Sequence, residues 1–99
     1  MITFIRTAVA MSGKALEMAA FAKEMTAIIN RVTGGNTTAC VSFGGNANAV
    51  AWISHADSFT QMEETLAKLT ADPEYRDAIK KAEHLAVPGM TQDQVWRHI

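Results

Sequence analysis

The sequence predicts an α+β fold on the ferredoxin-like plan, with a four-stranded antiparallel sheet that carries its helices on one face. Two observations predict it. Strand and helix patterns follow one another in the order β-α-β-β-α-β, and the second helical pattern halts at residue 72 and restarts at once, so that helix is split. With 99 residues, close to the commonest domain size, we expect a single domain over residues 1–99.

The first strand and the first helix are predicted at Ile2–Met11 and Lys14–Val32. The strand is rich in Ile, Phe, Thr and Val and lacks Pro and Gly. Ser12 is the expected N-cap of the helix, and Gly34 with Gly35 supplies the stop because glycine takes the left-handed conformation at little cost. The apolar stripe of this helix is formed by Leu16, Met18, Phe21, Ala22, Met25, Ile28, Ile29 and Val32.

The second and third strands are predicted as a hairpin, at Thr37–Phe43 and Ala47–Ser54. Gly44, Gly45 and Asn46 between them form a turn signal, and so short a connection implies antiparallel strands.

The second helix is expected to begin at a cap formed by Asp57 or Ser58, since Ser58 and Gln61 have capping-box spacing. Its helical pattern of apolar residues ends near Thr70 and Ala71.

A new helical segment then begins with Asp72 as N-cap and Pro73 as its first residue, where a missing N–H costs nothing. Tyr75, Ala78, Ile79 and Ala82 are its expected inner face, and Pro88 with Gly89 its end. Thr91–Ile99 is predicted to be the fourth strand.

Composition narrows the classes of partner. The net charge is −1 and the pI is about 6.3, so nothing draws the chain electrostatically to nucleic acid or to anionic lipid. No apolar run approaches the roughly 20 residues of a membrane span, and Arg6 interrupts the apolar N-terminus, which is interpreted as a strand rather than a targeting segment. The single cysteine, Cys40, favours a reducing compartment, and a cytoplasmic location is expected.

The sheet itself predicts a homodimer. Apolar residues make up 48% of the chain and charged residues 19%, and the first three strands carry almost no charge on either face. Helices on this plan cover one face only, so the other would be left as a large apolar patch on a monomer. Two copies packed through their sheet faces would cover it.

The chain resembles the dimeric α+β barrel superfamily, which includes antibiotic-biosynthesis-type monooxygenases, stress-responsive barrel proteins and NIPSNAP-like proteins. The resemblance is carried by the element order, by Trp52 on the third strand, by Asp57-x-Phe59 at the start of the second helix, and by the segment Leu69-x-x-Asp72-Pro73-Glu74-Tyr75. It implies a cofactor-independent monooxygenase or isomerase acting on a small apolar or aromatic molecule. The alternative it leaves open is a non-catalytic ligand-binding or stress-responsive dimer.

Haem degradation, another activity of that superfamily, is not expected. The haem-degrading branch uses an asparagine on the first strand, and Ile2–Met11 has none. Leu69 and Ile79 stand where the branch has its tryptophan and histidine. No cofactor is expected, because the resemblance implies a protein that acts without one.

The candidate ligand-binding residues are Arg6, Trp52 and Tyr75, and the candidate catalytic residues are Arg6 and His55. A guanidinium in an apolar strand could bind an anionic or enolate oxygen, but it could equally pair across a dimer or lie at a wet rim. Trp52 could form the wall of an aromatic site or be a core residue. His55 with Asp57 could form an oriented general base, or a loop residue beside a helix cap. No two histidines have the spacing of a helical metal site, so no metal is expected.

Overall fold

The computed structural model describes all 99 residues and contains one antiparallel sheet of four strands with three helices on one of its faces. The elements are β1 (Ile2–Val9), α1 (Ala15–Thr33), β2 (Thr38–Val41), β3 (Ala49–Ala56), α2 (Phe59–Ala71), α3 (Pro73–Lys81) and β4 (Gln92–Arg97). The strands lie in the order β2-β3-β1-β4. The predicted α+β fold and its split second helix are confirmed.

Strand pairing gives the sheet two distinct faces. Arg6 on the central strand β1 lies opposite Trp52 of β3 and opposite Asp93 of β4. Because side chains alternate along a strand, these three residues share one face, which we call the helix face. The opposite face carries no helix, and we call it the open face; it includes Thr3, Ile5, Thr7, Val9, Cys40, Ala51, Ile53 and Trp96.

Helix α1 packs closely on the helix face. It buries Met18, Ala22, Met25 and Ile28. Trp52 lies beneath it and is 8% exposed, with its indole N–H donating to the Ala22 carbonyl at 3.3 Å. The buried indole nitrogen of Trp52 therefore has a hydrogen-bond partner. The contact between α1 and the sheet forms a large part of the hydrophobic core.

Helix α2 covers the same face but buries only Leu69. Its N-terminus is capped as expected, because the Ser58 hydroxyl accepts the Gln61 N–H at 3.1 Å. The break between α2 and α3 is also confirmed: Asp72 accepts the Tyr75 N–H at 3.0 Å and Pro73 occupies the first turn of α3.

A charge cluster fixes the start of α3 against α1. Arg31 of α1 contacts Asp72 at 3.1 Å and Glu74 at 2.7 Å. The hydrogen bond to Glu74, supported by both carboxylates, raises the pKa of Arg31.

The predicted cap of α1 was wrong. The helix begins at Ala15, and the residue at its N-cap, Lys14, forms no side-chain cap. A tight turn with Gly13 at φ +78° precedes it, closed by the Lys14 N–H bonded to the Met11 carbonyl at 2.9 Å. Ser12 therefore lies within the turn, two residues before the cap position. The C-terminal stop is confirmed, because Gly34 is left-handed at φ +65°.

One expected core position was also wrong. Leu16 is 88% exposed because it projects from the first turn of α1 away from the sheet. On the predicted inner face of α3, Tyr75, Ala78 and Ala82 are buried, and Ile79 is 42% exposed beside the space under α2.

Some boundaries differ from the predicted ones. Helix α3 ends at Lys81 rather than near Pro88, because the Ala82 N–H turns back to the Ile79 and Lys80 carbonyls. The segment that follows forms a bridge between Ala86 and Ala10, which extends the sheet pairing rather than the helix. Strands β1, β2 and β4 are shorter than predicted, and β3 is displaced by two residues. None of the three helices has the length and apolarity needed to cross a membrane.

Candidate functional site

A cavity of about 580 Å³ lies between the helix face of the sheet and the layer formed by α2 and α3. Most of the residues that line it are hydrophobic. They include Phe4, Ala8, Met18, Phe21, Met25, Trp52, Met62, Leu66, Leu69 and Ile79.

The cavity exists because α2 does not fill the space above the sheet. Only Leu69 of this helix is buried, and the other lining positions include the short or polar Gln61 and Thr65. The sheet below is also small or polar here, with Ala8 of β1 and Ser54 of β3 among the lining residues.

Arg6 is the principal polar group of the cavity. Its Nε donates to Asp93 Oδ1 at 2.7 Å and its Nη2 to Asp93 Oδ2 at 2.8 Å, a bidentate pair between β1 and β4. The guanidinium also lies 5.7 Å from the centre of the Phe4 ring. Two of its nitrogens are thus occupied, and Nη1 forms no hydrogen bond within the chain.

The pair shifts both groups towards their charged forms. The hydrogen bond to Asp93 raises the pKa of Arg6 against the opposing effect of burial, and Tyr75 adds to the rise. The same hydrogen bond lowers the pKa of Asp93 although partial burial acts the other way. Both side chains are therefore ionised at neutral pH, and their charges cancel locally.

Tyr75 brings a second polar group to the cavity beside Arg6. The Asp72 cap fixes the first turn of α3, and with it the buried Tyr75 ring, which is 9% exposed. Its hydroxyl forms no hydrogen bond of normal geometry, and no buried polar side-chain atom lacks a partner, so this hydroxyl is open to the cavity or to water. The hydroxyl lies close enough to the Arg6 guanidinium to help raise the pKa of Arg6, and its O–H can still donate to a ligand.

Trp52 forms a wall of the cavity, with the Phe21 ring edge-on to it at a centroid distance of 6.2 Å. Because its indole N–H is bonded to the Ala22 carbonyl, Trp52 offers a ligand only its apolar surface. Arg6, Trp52 and Tyr75, the three predicted ligand-binding residues, are thus brought together around one cavity.

At the other end of the cavity, beneath the start of α2, the lining becomes more polar. The hydroxyls of Thr37 and Ser54 are 2.6 Å apart, and Asn36 and Asp57 lie at the same end.

The pairing of His55 with Asp57, one of the two alternatives that the sequence left open, is not formed. His55 borders this end of the cavity, but its side chain points to the open face, because it lies opposite Thr3 in the sheet. Its Nδ1 is 3.1 Å from the Thr3 hydroxyl, which also contacts His98 Nε2 at 2.6 Å. The imidazole therefore does not join Arg6 and Tyr75.

Asp93 was missed by the sequence analysis. Its role depends on which residue of β4 lies opposite Arg6, and the sequence does not reveal that register. The signal that could have found it is a lone acidic residue in a strand due to pair with the strand of a lone arginine. No group of three or more His, Cys, Asp or Glu side chains is placed to hold a metal ion.

Comparison with known proteins identifies the fold. No family model matches the chain, and no curated protein matches it in sequence. Solved structures do match. One is a NIPSNAP domain protein from Burkholderia xenovorans, with 16% identity over 100% of this chain and 95% of that chain and a TM-score of 0.85. A NIPSNAP family protein of unknown function from Agrobacterium tumefaciens has 21% identity over 97% of this chain and 86% of that chain, with a TM-score of 0.83.

A third match is SnoaB, a cofactor-independent oxygenase from Streptomyces nogalater, with 14% identity over 98% of this chain and 91% of that chain and a TM-score of 0.70. The chain thus has the fold of NIPSNAP-like proteins and of antibiotic-biosynthesis-type oxygenases, as the resemblance predicted. At these identities the likeness concerns the fold and leaves the activity open.

Proposed function

We propose that this protein binds a small, largely aromatic molecule in the cavity beneath α2. The observation that carries the proposal is the cavity itself: its volume of about 580 Å³ falls in the usual range for small-molecule sites. Its lining combines apolar walls with two polar side chains, Arg6 and Tyr75, at one place. Such an arrangement holds a ring by contact and orients it by one or two hydrogen bonds.

Binding is tested by thermal shift and calorimetry with naphthols and naphthoquinones. We expect stabilisation by at least one member of the panel. The variant Thr65→Phe, which places a ring in the cavity, should lose that binding. Thr70→Phe is the matched control, because Thr70 is on the same helix, is exposed and does not line the cavity. Absence of a shift with every compound, or equal binding by both variants, would refute the cavity as a binding site.

The second part of the proposal is that the protein works as a homodimer through its open face. That face presents Ile5, Ala51 and Ile53 at its centre, without a charged residue among them, and no element of the chain covers it. Trp96 of β4 lies on the same face and is 58% exposed. Covering this surface removes apolar area from water, the main driving force of such association.

Sedimentation of the purified protein tests the dimer. We expect a dimer at micromolar concentration, and a monomer for Ile53→Glu, since that change places a charge in the middle of the interface. Thr70→Glu, on the exposed side of α2, should remain dimeric. A wild-type protein that sediments as a single chain would contradict this part of the proposal without affecting the binding site.

The catalytic form of the proposal is cofactor-independent oxygenation of the bound molecule. It is supported by the fold shared with SnoaB and by the neighbouring Tyr75 hydroxyl and Arg6 guanidinium at the cavity wall. These groups are placed to hold a substrate oxygen while its ring faces Trp52. Isomerisation of a bound enol or ketone would use the same two groups.

Oxygen uptake with electron-rich naphthols separates catalysis from binding alone. Uptake that is lost in Tyr75→Phe, with binding retained, would support the oxygenase. Binding without uptake or isomerised product would favour the non-catalytic alternative, a ligand-binding dimer.

A further inference from the structure

We infer that Asp93 makes the cavity select neutral ligands over anionic ones by cancelling the charge of Arg6. The inference rests on the proposed binding of a small aromatic molecule in the cavity and adds the charge class of that molecule. It assigns Asp93 as a specificity-determining residue, although Asp93 itself is not part of the cavity lining.

The charges around the cavity support this inference. Arg6 is the only lysine or arginine among the lining residues, and the lining also includes the acidic residues Asp57 and Glu83. Met1 borders the cavity as well, but it is 60% exposed, so its amino group is screened by water. With Asp93 bound to Arg6, the cavity holds no uncompensated cation to attract a carboxylate or a phosphate.

The geometry of the pair shows what remains available. The bidentate contact occupies Nε and Nη2 of Arg6, at 2.7 and 2.8 Å. Nη1 and the Tyr75 hydroxyl are left as hydrogen-bond donors. A carbonyl or amide oxygen can accept from either donor, whereas a carboxylate at the same point would also face the Asp93 carboxylate within a largely apolar site.

Both partners of the Arg6–Asp93 ion pair stay charged near neutral pH. Because the hydrogen bond from Arg6 lowers the pKa of Asp93, the carboxylate stays ionised and the Arg6 charge stays compensated. A single arginine in an apolar strand suggests a binding site for an anion. In this protein Asp93 of β4 neutralises Arg6, so Arg6 does not attract an anionic ligand.

The experiment compares two ligands that differ essentially in charge, 2-naphthamide and 2-naphthoate, by calorimetry at pH 7. For the wild type we expect the amide to bind at least roughly tenfold more tightly than the carboxylate. In Asp93→Asn, which keeps the shape of the side chain, naphthoate affinity should rise roughly tenfold or more while naphthamide affinity changes by less than about threefold.

Glu83→Gln is the matched control, since it also removes one negative charge at the cavity but leaves the Arg6 pair intact. It should raise naphthoate affinity much less than Asp93→Asn. An equal gain in both variants would show a general charge effect and overturn the specific role of Asp93.

The remaining outcomes separate this inference from the proposed function. Binding of naphthoate to the wild type as tightly as naphthamide would overturn the inference and leave the cavity site standing. Failure of naphthamide to bind the wild type would also overturn the inference, whereas the cavity site itself falls only if the naphthols and naphthoquinones fail to bind as well. Should Asp93→Asn fail to fold, the preference of the wild type for the amide still decides the charge class.

Discussion

Helices α1 and α2 lie on the same face of the same sheet, yet they pack in opposite ways. Four residues of α1 are buried, and its backbone accepts the Trp52 indole hydrogen bond. Helix α2 has 13 residues and buries one, Leu69, and the space beneath it is open. Helix α1 thus forms much of the core and also one wall of the cavity, through Met18, Phe21 and Met25, whereas α2 only covers the cavity.

This difference assigns separate tasks to the two helices. A packed interior gains from every methylene that it removes from water, so α1, which buries four residues, contributes more to the folding energy than α2, which buries one. An unfilled space lacks those contacts, and a protein tolerates it where the space is used. The ends of α2 are held by Ser58 and Asp72, which stabilises the helix although it buries little.

The largest effect that tests the comparison is expected for Met18→Ala. Met18 is 1% exposed in the core beneath α1. Its truncation should lower the free energy of unfolding by about 3 kcal/mol, because apolar contacts are lost and a void remains. Urea denaturation measures the change. A loss below about 1 kcal/mol would mean that the α1 half is no better packed than the α2 half.

A smaller effect is expected for Asp72→Ala at the junction of α2 and α3. The change removes the acceptor of the Tyr75 N–H and one of the two carboxylates that bind Arg31. We expect a loss of about 1 kcal/mol in the free energy of unfolding, typical of a lost N-cap. Because the cap positions Tyr75, ligand affinity should fall as well.

Met62→Ala provides the counterpart to Met18→Ala on α2. Met62 lines the cavity and is only partly buried, so its truncation enlarges an existing space and creates no new void. The expected loss is less than about 1 kcal/mol, well below that of the same substitution at position 18. Equal losses at the two positions, measured in the same denaturant, would remove the distinction between core and roof.

The smallest effect concerns the ion pair at the cavity wall. The pKa of Asp93 is lowered in the folded state, so its contribution is present above the ordinary carboxylate pKa near 4 and is lost as the pH falls further. The side chains of Arg6 and Asp93 are 38% and 42% exposed, which limits the contribution to about 0.5 kcal/mol.

The measurement is the difference in melting temperature between the wild type and Asp93→Asn from pH 7 to pH 2. We expect a small, constant difference down to about pH 5 that disappears below pH 4. If the difference in melting temperature grew on acidification, the pKa of Asp93 would be raised in the folded protein. That result would contradict the ion pair between Arg6 and Asp93.

The sequence was sufficient for features governed by local chemistry. The Asp72-Pro73 junction, the Ser58 cap and the Gly34 stop each depend on the conformational preference of one or two residues, and all three were confirmed. Ser12 is not the N-cap, because the left-handed Gly13 forms a turn before the helix. The sequence alone does not show whether the helix begins directly after Ser12 or after such a turn.

Features set by tertiary packing could not be predicted in the same way. The pairing of Arg6 with Asp93 depends on the register of two strands that lie 87 residues apart in sequence. The side to which His55 points depends on its place in β3, which was predicted to end at Ser54 and extends to Ala56. The cavity depends on the height of α2 above the sheet, and no pattern of residue types in α2 specifies that height.

The central claim is that the space beneath α2 is an open site for an aromatic molecule. A crystal structure with 6-bromo-2-naphthol, located by the anomalous signal of bromine, tests it directly. The account predicts bromine density between α2 and the helix face, with the naphthol oxygen within hydrogen-bond distance of Arg6 or Tyr75. Density on the open face alone, or a cavity closed by Met62 and Leu66, would contradict it.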